Sequence, residues 1–82
     1  MQIPDPEHEF SVVAETEGPA PGVIFVPRKL PGRFYWLARE ARPGAIVRVL
    51  ARAGLDVKPD AIGEYADWLA HARVESYAGT GR

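Results

Sequence analysis

Prolines and glycines constrain the fold of this chain more than any other residue type. The 82 residues include eight prolines and eight glycines. Proline lacks a backbone N–H and interrupts helix interiors and central strands, while glycine favours turns. Groups of these residues occur at positions 17–22, 31–32 and 43–44. They therefore predict where the strands and helices begin and end.

The N-terminal part of the sequence predicts two strands. Residues 9–16 alternate, with Phe10, Val12 and Ala14 on one side, which is the period of a half-buried strand. Residues 23–26 form a short apolar run that is rich in β-branched side chains. The connection at 17–22 is too long for a two-residue turn, so it predicts a stiff exposed loop between antiparallel strands.

Three helices are predicted after this hairpin. The first covers residues 33–42, the second covers residues 43–53, and the third begins at Pro59 and ends near Tyr77. Pro43 suits the first position of the second helix, and Gly54 suits its C-terminal cap. The apolar stripes comprise Phe34, Leu37, Ala38 and Ala41 in the first helix, Ile46, Val49, Leu50 and Ala53 in the second, and Ile62, Tyr65, Ala66, Leu69 and Ala72 in the third.

The predicted fold class is therefore α+β. Residues 1–82 form one small domain, an N-terminal two-stranded antiparallel hairpin followed by three helices, and residues 1–8 and 79–82 have the composition of loose ends. Because cysteine is absent, neither disulfides nor thiolate metal sites can add stability.

Composition also predicts where such a chain works. No stretch approaches the roughly 18 consecutive apolar residues of a membrane span, and nothing near the N-terminus resembles a targeting signal. We therefore expect a soluble protein that is cytoplasmic, or otherwise intracellular or part of a virion. Eight arginines against two lysines, with no asparagine, favour a GC-rich bacterial or phage source.

Charge is segregated along the chain. Residues 1–27 hold five acids and no base, residues 28–58 hold eight bases and two acids, and residues 59–82 hold four acids and two bases. The net charge of −1 conceals this distribution. Segregated charge favours recognition of a charged partner. The alternative is that the acidic segment at residues 5–17 covers the basic middle of the same chain.

The inventory of catalytic side chains is poor. The chain has two histidines and two serines, and neither serine lies in a Gly-x-Ser-x-Gly turn. No glycine run matches a phosphate-binding loop or a dinucleotide fingerprint. We therefore predict that the protein is not an enzyme, that it uses no cofactor, and that it has no small-molecule substrate.

The third predicted helix carries an acidic stripe opposite its apolar face. Carboxylates and an imidazole on one helix face resemble part of a metal site, but a lone face supplies too few ligands. A solvated helix face gives the same pattern, so no metal is predicted. The stripe comprises Asp60, Glu64, Asp67, His71 and Glu75.

Three adjacent aromatic residues, Phe34, Tyr35 and Trp36, favour a binding role. Successive helical residues are rotated by roughly 100°, so a helix cannot bury all three in one core. An outward Trp36 beside arginines is typical of an interface anchor. The alternative is that the hairpin covers Trp36. The predicted partner-binding residues are Tyr35, Trp36, Arg39, Arg42, Arg48 and Arg52.

The sequence thus predicts a small non-enzymatic interaction module, a subunit or adaptor that binds a protein partner or associates with itself. The alternative is a nucleic-acid-binding accessory protein that uses the arginine-rich segment at residues 33–53. A helix-turn-helix reader is disfavoured, because the third helix would present Asp60, Glu64 and Asp67 to the anionic groove. No membrane partner is predicted.

Overall fold

The computed structural model of the protein describes residues 4–74 and has an α+β architecture. In chain order its elements are helix α1 (Pro6–Glu9), strands β1 (Phe10–Thr16), β2 (Gly22–Pro27) and β3 (Tyr35–Ala38), helix α2 (Pro43–Arg52), a 3₁₀ turn (Pro59–Ala61) and helix α3 (Ile62–His71). The predicted fold class is confirmed, but the sheet has three strands. The predicted loose ends were residues 1–8 and 79–82. Residues 1–3 and 79–82 lie outside the described residues, and residues 6–8 belong to α1.

The three strands form one antiparallel sheet in the order β1-β2-β3. The predicted pairing of β1 with β2 is confirmed, with Val12 opposite Phe25 and Glu15 opposite Val23. A β-bulge between Val12 and Ala14 interrupts the register. The bulge inserts one residue into β1 and so shifts the alternation of its side chains. Consequently Val12 and Glu15 both lie on the face that carries Phe25 and Val23.

The prediction of a helix over residues 33–42 is wrong, because Tyr35–Ala38 forms β3 and pairs with β2. Phe34, Leu37, Ala38 and Ala41 have helical spacing, but a short apolar run does not distinguish a helix from a strand. Aromatic side chains favour the pleated surface of a sheet. Pairing also satisfies one edge of β2, which a two-stranded hairpin would leave open.

Helices α2 and α3 pack on one face of the sheet and enclose a single core. Phe25 on the central strand is fully buried, and its ring contacts those of Phe10 at 5.1 Å and Trp68 at 5.5 Å. Trp68 is 8% exposed and helps to fill the core. The buried core comprises Phe10, Val12, Val23, Phe25, Leu37, Ile46, Leu50, Ala53, Val57, Tyr65, Trp68, Leu69 and Ala72.

Helix α2 follows the prediction closely. Pro43 occupies its first turn, and Ile46 and Leu50 face the core. Gly54 has a φ of +89°, a conformation that favours glycine. The N–H of Leu55 donates to the carbonyl of Leu50 at 2.9 Å, which is the bonding of a Schellman C-cap.

Helix α3 ends earlier than predicted. The prediction extended it to Tyr77, but the backbone becomes extended at Ala72; residues 75–77 lie outside the described residues. The guanidinium of Arg39 donates to the carbonyls of Leu69 at 3.0 Å and Ala70 at 3.5 Å. These carbonyls belong to the last turn, whose acceptors need partners from outside the helix. Between residues 4 and 74, no helix is long and apolar enough to cross a membrane.

Candidate functional site

Trp36 lies on the outer face of the sheet, opposite the helices. Its indole covers Gly22 on the neighbouring strand, where an added Cβ would lie 2.6 Å from Nε1. The indole N–H donates to Oγ1 of Thr16 on β1 at 3.0 Å. The side chain therefore spans all three strands and is held by both contacts. The residue is still 44% exposed, so a partner can reach the ring.

The outer face around Trp36 is apolar. Phe34 is 66% exposed and Val13 is 43% exposed, while Ile24, opposite Trp36 in the register, is partly buried. Phe34 directly precedes β3, which begins at Tyr35, so its exposed ring lies two residues from Trp36. Large apolar side chains that cluster on one surface mark interaction sites more often than scattered ones do.

Tyr35 points the other way. Its ring lies 6.0 Å from that of Phe25, and its hydroxyl donates to the backbone carbonyl of Arg52 at 3.0 Å. This bond fastens the start of β3 to the C-terminal end of α2. Tyr35 therefore holds α2 beside β3, and only the exposed part of this half-buried residue is accessible to a partner.

Arg39 is used within the fold. Besides its bonds to α3, its guanidinium pairs with Oε1 of Glu15 at 3.0 Å. The other oxygen of Glu15 accepts the backbone N–H of Val74 at 3.1 Å, and Arg73 approaches the same carboxylate at 3.9 Å. Arg39 is thus one basic residue of the middle segment that pairs with an acid of the N-terminal segment, Glu15. These contacts of Glu15 with Arg39, Arg73 and Val74 form a latch. The latch connects β1, the end of β3 and the chain after α3.

The latch predicts a pH-dependent stability. The N–H of Val74, and then the charges of Arg39 and Arg73, hold the pKa of Glu15 below its ordinary value of 4.5, although partial desolvation opposes them. A lowered folded-state pKa contributes stability above pH 4.5, and this is lost as pH falls through the folded-state value. We expect Glu15→Gln to be less stable than the wild type at pH 7, with the difference narrowing in acid.

Urea unfolding at pH 7 and at pH 3 measures this difference. Glu17→Gln is the matched control, because Glu17 is exposed and forms no ion pair within residues 4–74. It should match the wild type at both pH values. A Glu15→Gln deficit that is equally large at both would show that the carboxylate charge contributes nothing.

The remaining predicted arginines lie on α2 or directly before it. Arg42 precedes the helix, and Arg48 and Arg52 lie one turn apart on its exposed side. None of the three forms an ion pair within the described part of the chain. Because α2 runs back along β3, Arg42 lies near the C-terminal end of the strand. The Tyr35 bond places Arg52 near the N-terminal end.

The side chains of the acidic stripe do not converge on one point within the described residues. Among residues 4–74, no group of three or more His, Asp or Glu side chains could hold a metal ion, and Glu75 lies outside that range. His71 contacts its own helix, with Nδ1 3.0 Å from the carbonyl of Asp67 and 3.6 Å from its carboxylate. Ser11 pairs with Val26 on the other side of the sheet, away from His71.

The sequence analysis missed the main-chain edge of β3. The N–H of Arg39 donates to the carbonyl of Pro21 at 2.9 Å, so alternation directs the peptide groups of Leu37 and Tyr35 towards β2. The N–H and C=O of Trp36 and the N–H of Ala38 therefore face away from the sheet. The period-two pattern of Phe34, Trp36 and Ala38 was the signal that could have revealed this edge.

The chain matches no protein-family model, no curated protein and no solved structure with which it was compared. Its function is therefore inferred from its own geometry.

Proposed function

We propose that this protein is a small non-enzymatic protein-interaction module, a subunit or adaptor, whose binding surface is centred on β3. One observation carries the proposal: Trp36 is exposed on the outer face of the sheet and Phe34 is exposed directly before β3, while α2 and α3 cover the inner face. Binding energy in protein interfaces is concentrated in such aromatic anchors.

The local structure suits an anchor. The bond to Thr16 and the contact with Gly22 fix the indole of Trp36 before a partner arrives. An anchor that is already ordered loses little conformational entropy on binding. The arginines of α2 lie on the other side of the same strand and contribute electrostatic complementarity, which increases the association rate and the specificity.

Replacement of Trp36 with alanine tests this function. We expect Trp36→Ala to weaken partner binding by at least about thirtyfold, since truncated hot-spot residues cost about 2 kcal/mol or more. The free energy of unfolding should fall by only about 2 kcal/mol, because roughly half of the side chain is already exposed. A partner purified by affinity to the wild-type chain and titrated against both proteins gives the first value, and urea unfolding gives the second.

Val57→Ala is the matched control. Val57 is buried in the core, so its truncation should cost about the same stability without changing the outer face. The proposal requires Val57→Ala to bind normally. If both variants lose the partner equally, or if Trp36→Ala no longer unfolds cooperatively, Trp36 acts as a structural residue.

A nucleic-acid-binding accessory protein is the second candidate. The observation that favours it is the absence of ion pairs at Arg42, Arg48 and Arg52 within residues 4–74, since phosphate binding requires accessible cations. A titration of a generic duplex and a generic single strand from about 50 to about 200 mM salt separates the candidates, because phosphate-driven affinity falls steeply over this range.

A further inference from the structure

The edge of β3 offers unpaired peptide groups to a partner. Within residues 4–74, the N–H and C=O of Trp36 and the N–H of Ala38 have no hydrogen-bond partner, while the carbonyl of Ala38 accepts the N–H of Ala41 at 3.0 Å. Alternating donors and acceptors of this kind pair with another extended strand. The edge is short, because β3 has four residues.

The two sides of this edge differ in chemistry. On the outer side, Trp36 is exposed, and Phe34 is exposed directly before β3. On the helix side, α2 packs against β3, with Arg42 directly before the helix and Arg48 and Arg52 on its exposed surface. No acid occurs within α2, and Glu40 is the one acid between residues 28 and 55. The helix side of the edge is therefore strongly positive, whereas the outer side is apolar.

We propose that β3 takes up an extended acidic segment of a partner protein as a fourth strand. This inference rests on the proposed function and specifies its partner. Since side chains of a strand alternate between faces, the segment should alternate apolar and acidic residues. Its apolar side chains contact Trp36 and Phe34, and its carboxylates face the arginines of α2.

A second copy of this chain fits the edge less well. Two β3 strands paired antiparallel would bring their α2 helices side by side. Each helix would place Arg42, Arg48 and Arg52 against the same residues of the other, and like charges at close range repel.

Nucleic acid also fits the edge less well. Phosphates satisfy the arginines, but their oxygens only accept hydrogen bonds, so the outward carbonyl of Trp36 would face a negative charge. A peptide strand supplies both the donor and the acceptor that this residue lacks.

The test uses the whole chain and two synthetic peptides of about eight residues, a usual strand length. One peptide alternates valine with glutamate, and the other alternates valine with lysine. We expect the acidic peptide at saturating concentration to slow the amide exchange of Trp36 and Ala38 roughly tenfold, the factor reached when about nine-tenths of the chain is occupied. The lysine peptide should leave both amides unchanged.

Charge reversal supplies the matched variants. Arg42→Glu combined with Arg52→Glu should abolish binding of the glutamate peptide and create binding of the lysine peptide, with the same two amides protected. Lys58→Glu, a reversal at an exposed lysine outside α2 and β3, should behave as the wild type. The backbone carbonyl of Arg52 remains available to Tyr35 in the reversed chain, so the fold should be retained, and its unfolding transition verifies this.

Several outcomes would overturn the inference. Equal binding of both peptides, binding without protection of Trp36 and Ala38, or no binding of either peptide excludes an acidic fourth strand. The edge belongs to nucleic acid if a single-stranded oligonucleotide binds in a salt-sensitive way and protects the same amides. It belongs to a second copy of the chain if the protein dimerises with increasing concentration and Ala38→Pro abolishes the dimer. If Trp36→Ala still loses the purified partner while the peptides fail, the interaction module stands and only the strand pairing is wrong.

Discussion

Phe25→Ala should lower the free energy of unfolding by about 4 kcal/mol, the range for a truncated core phenylalanine. Phe25 is fully buried on the central strand and contacts the rings of Phe10, Tyr35 and Trp68. A domain of this size has a total stability of about 4–12 kcal/mol, so this one change removes a third of it or more. Thermal unfolding followed by circular dichroism should show a midpoint about 15–30 °C lower.

Phe34→Ala is the matched control for this prediction. The same residue type is replaced, but Phe34 lies directly before β3 and is 66% exposed. Surface substitutions of this kind usually change stability by less than about 0.5 kcal/mol. If Phe34→Ala destabilised the protein as much as Phe25→Ala, the side chain of Phe34 would have to be buried. The proposed binding surface would then not be accessible to a partner.

The contrast between these two phenylalanines shows what the sequence could predict. Alternation in β1 and the apolar stripes of α2 and α3 identified the core, including Leu50, Tyr65 and Leu69, because burial repeats with the period of each element. The prediction that Ala14 shares a face with Phe10 and Val12 is wrong, because the β-bulge places Ala14 opposite Ile24. The period of β3 was ambiguous. Its four residues match both a helix turn and a strand, and the choice was made by pairing with β2, a contact that no local pattern contains.

The end of α3 illustrates a second limit. Helical spacing continues past His71, but Arg39 and Glu15 lie far away in the sequence and hold the carbonyls of Leu69 and Ala70 and the N–H of Val74. Such long-range hydrogen bonds depend on the completed sheet. The same contacts explain why Arg39, predicted to bind a partner, is occupied within the fold, while the arginines of α2 are not.

Only part of the candidate site could be predicted, because its arrangement also depends on contacts between residues that are distant in the sequence. Aromatic and basic residues could be identified by type, so Trp36, Arg42, Arg48 and Arg52 were named from the sequence. Their grouping around one strand edge could not be predicted, because it follows from assigning Tyr35–Ala38 to β3. The predicted partner was a protein or a second copy of the chain, and the assignment of β3 is what leads us to propose an extended strand as that partner.

Gly22→Ala should be the most damaging change of a single methyl group. A Cβ at this position would lie 2.5 Å from the backbone carbonyl of Leu37 and 2.7 Å from Cε2 of Trp36. The indole can move, but the carbonyl is fixed by the pairing of β2 with β3. We expect a loss of about 3 kcal/mol, the upper end for overpacking, together with release of the indole from Thr16. Urea unfolding measures the loss, and the indole N–H resonance of Trp36 reports the release.

Two further variants separate the contacts that make this glycine necessary. Gly63→Ala in α3 adds the same methyl group where no atom lies within 4 Å, and it should raise stability by up to about 1 kcal/mol because alanine favours helix. Gly22→Ala combined with Trp36→Ala removes the clash with the indole only. If this double variant is more stable than Trp36→Ala alone, the carbonyl of Leu37 does not restrict the site. If the double variant is markedly less stable than Trp36→Ala, the close approach of β2 to β3 requires glycine at position 22. The contact of the indole with Gly22 is then a consequence of that approach.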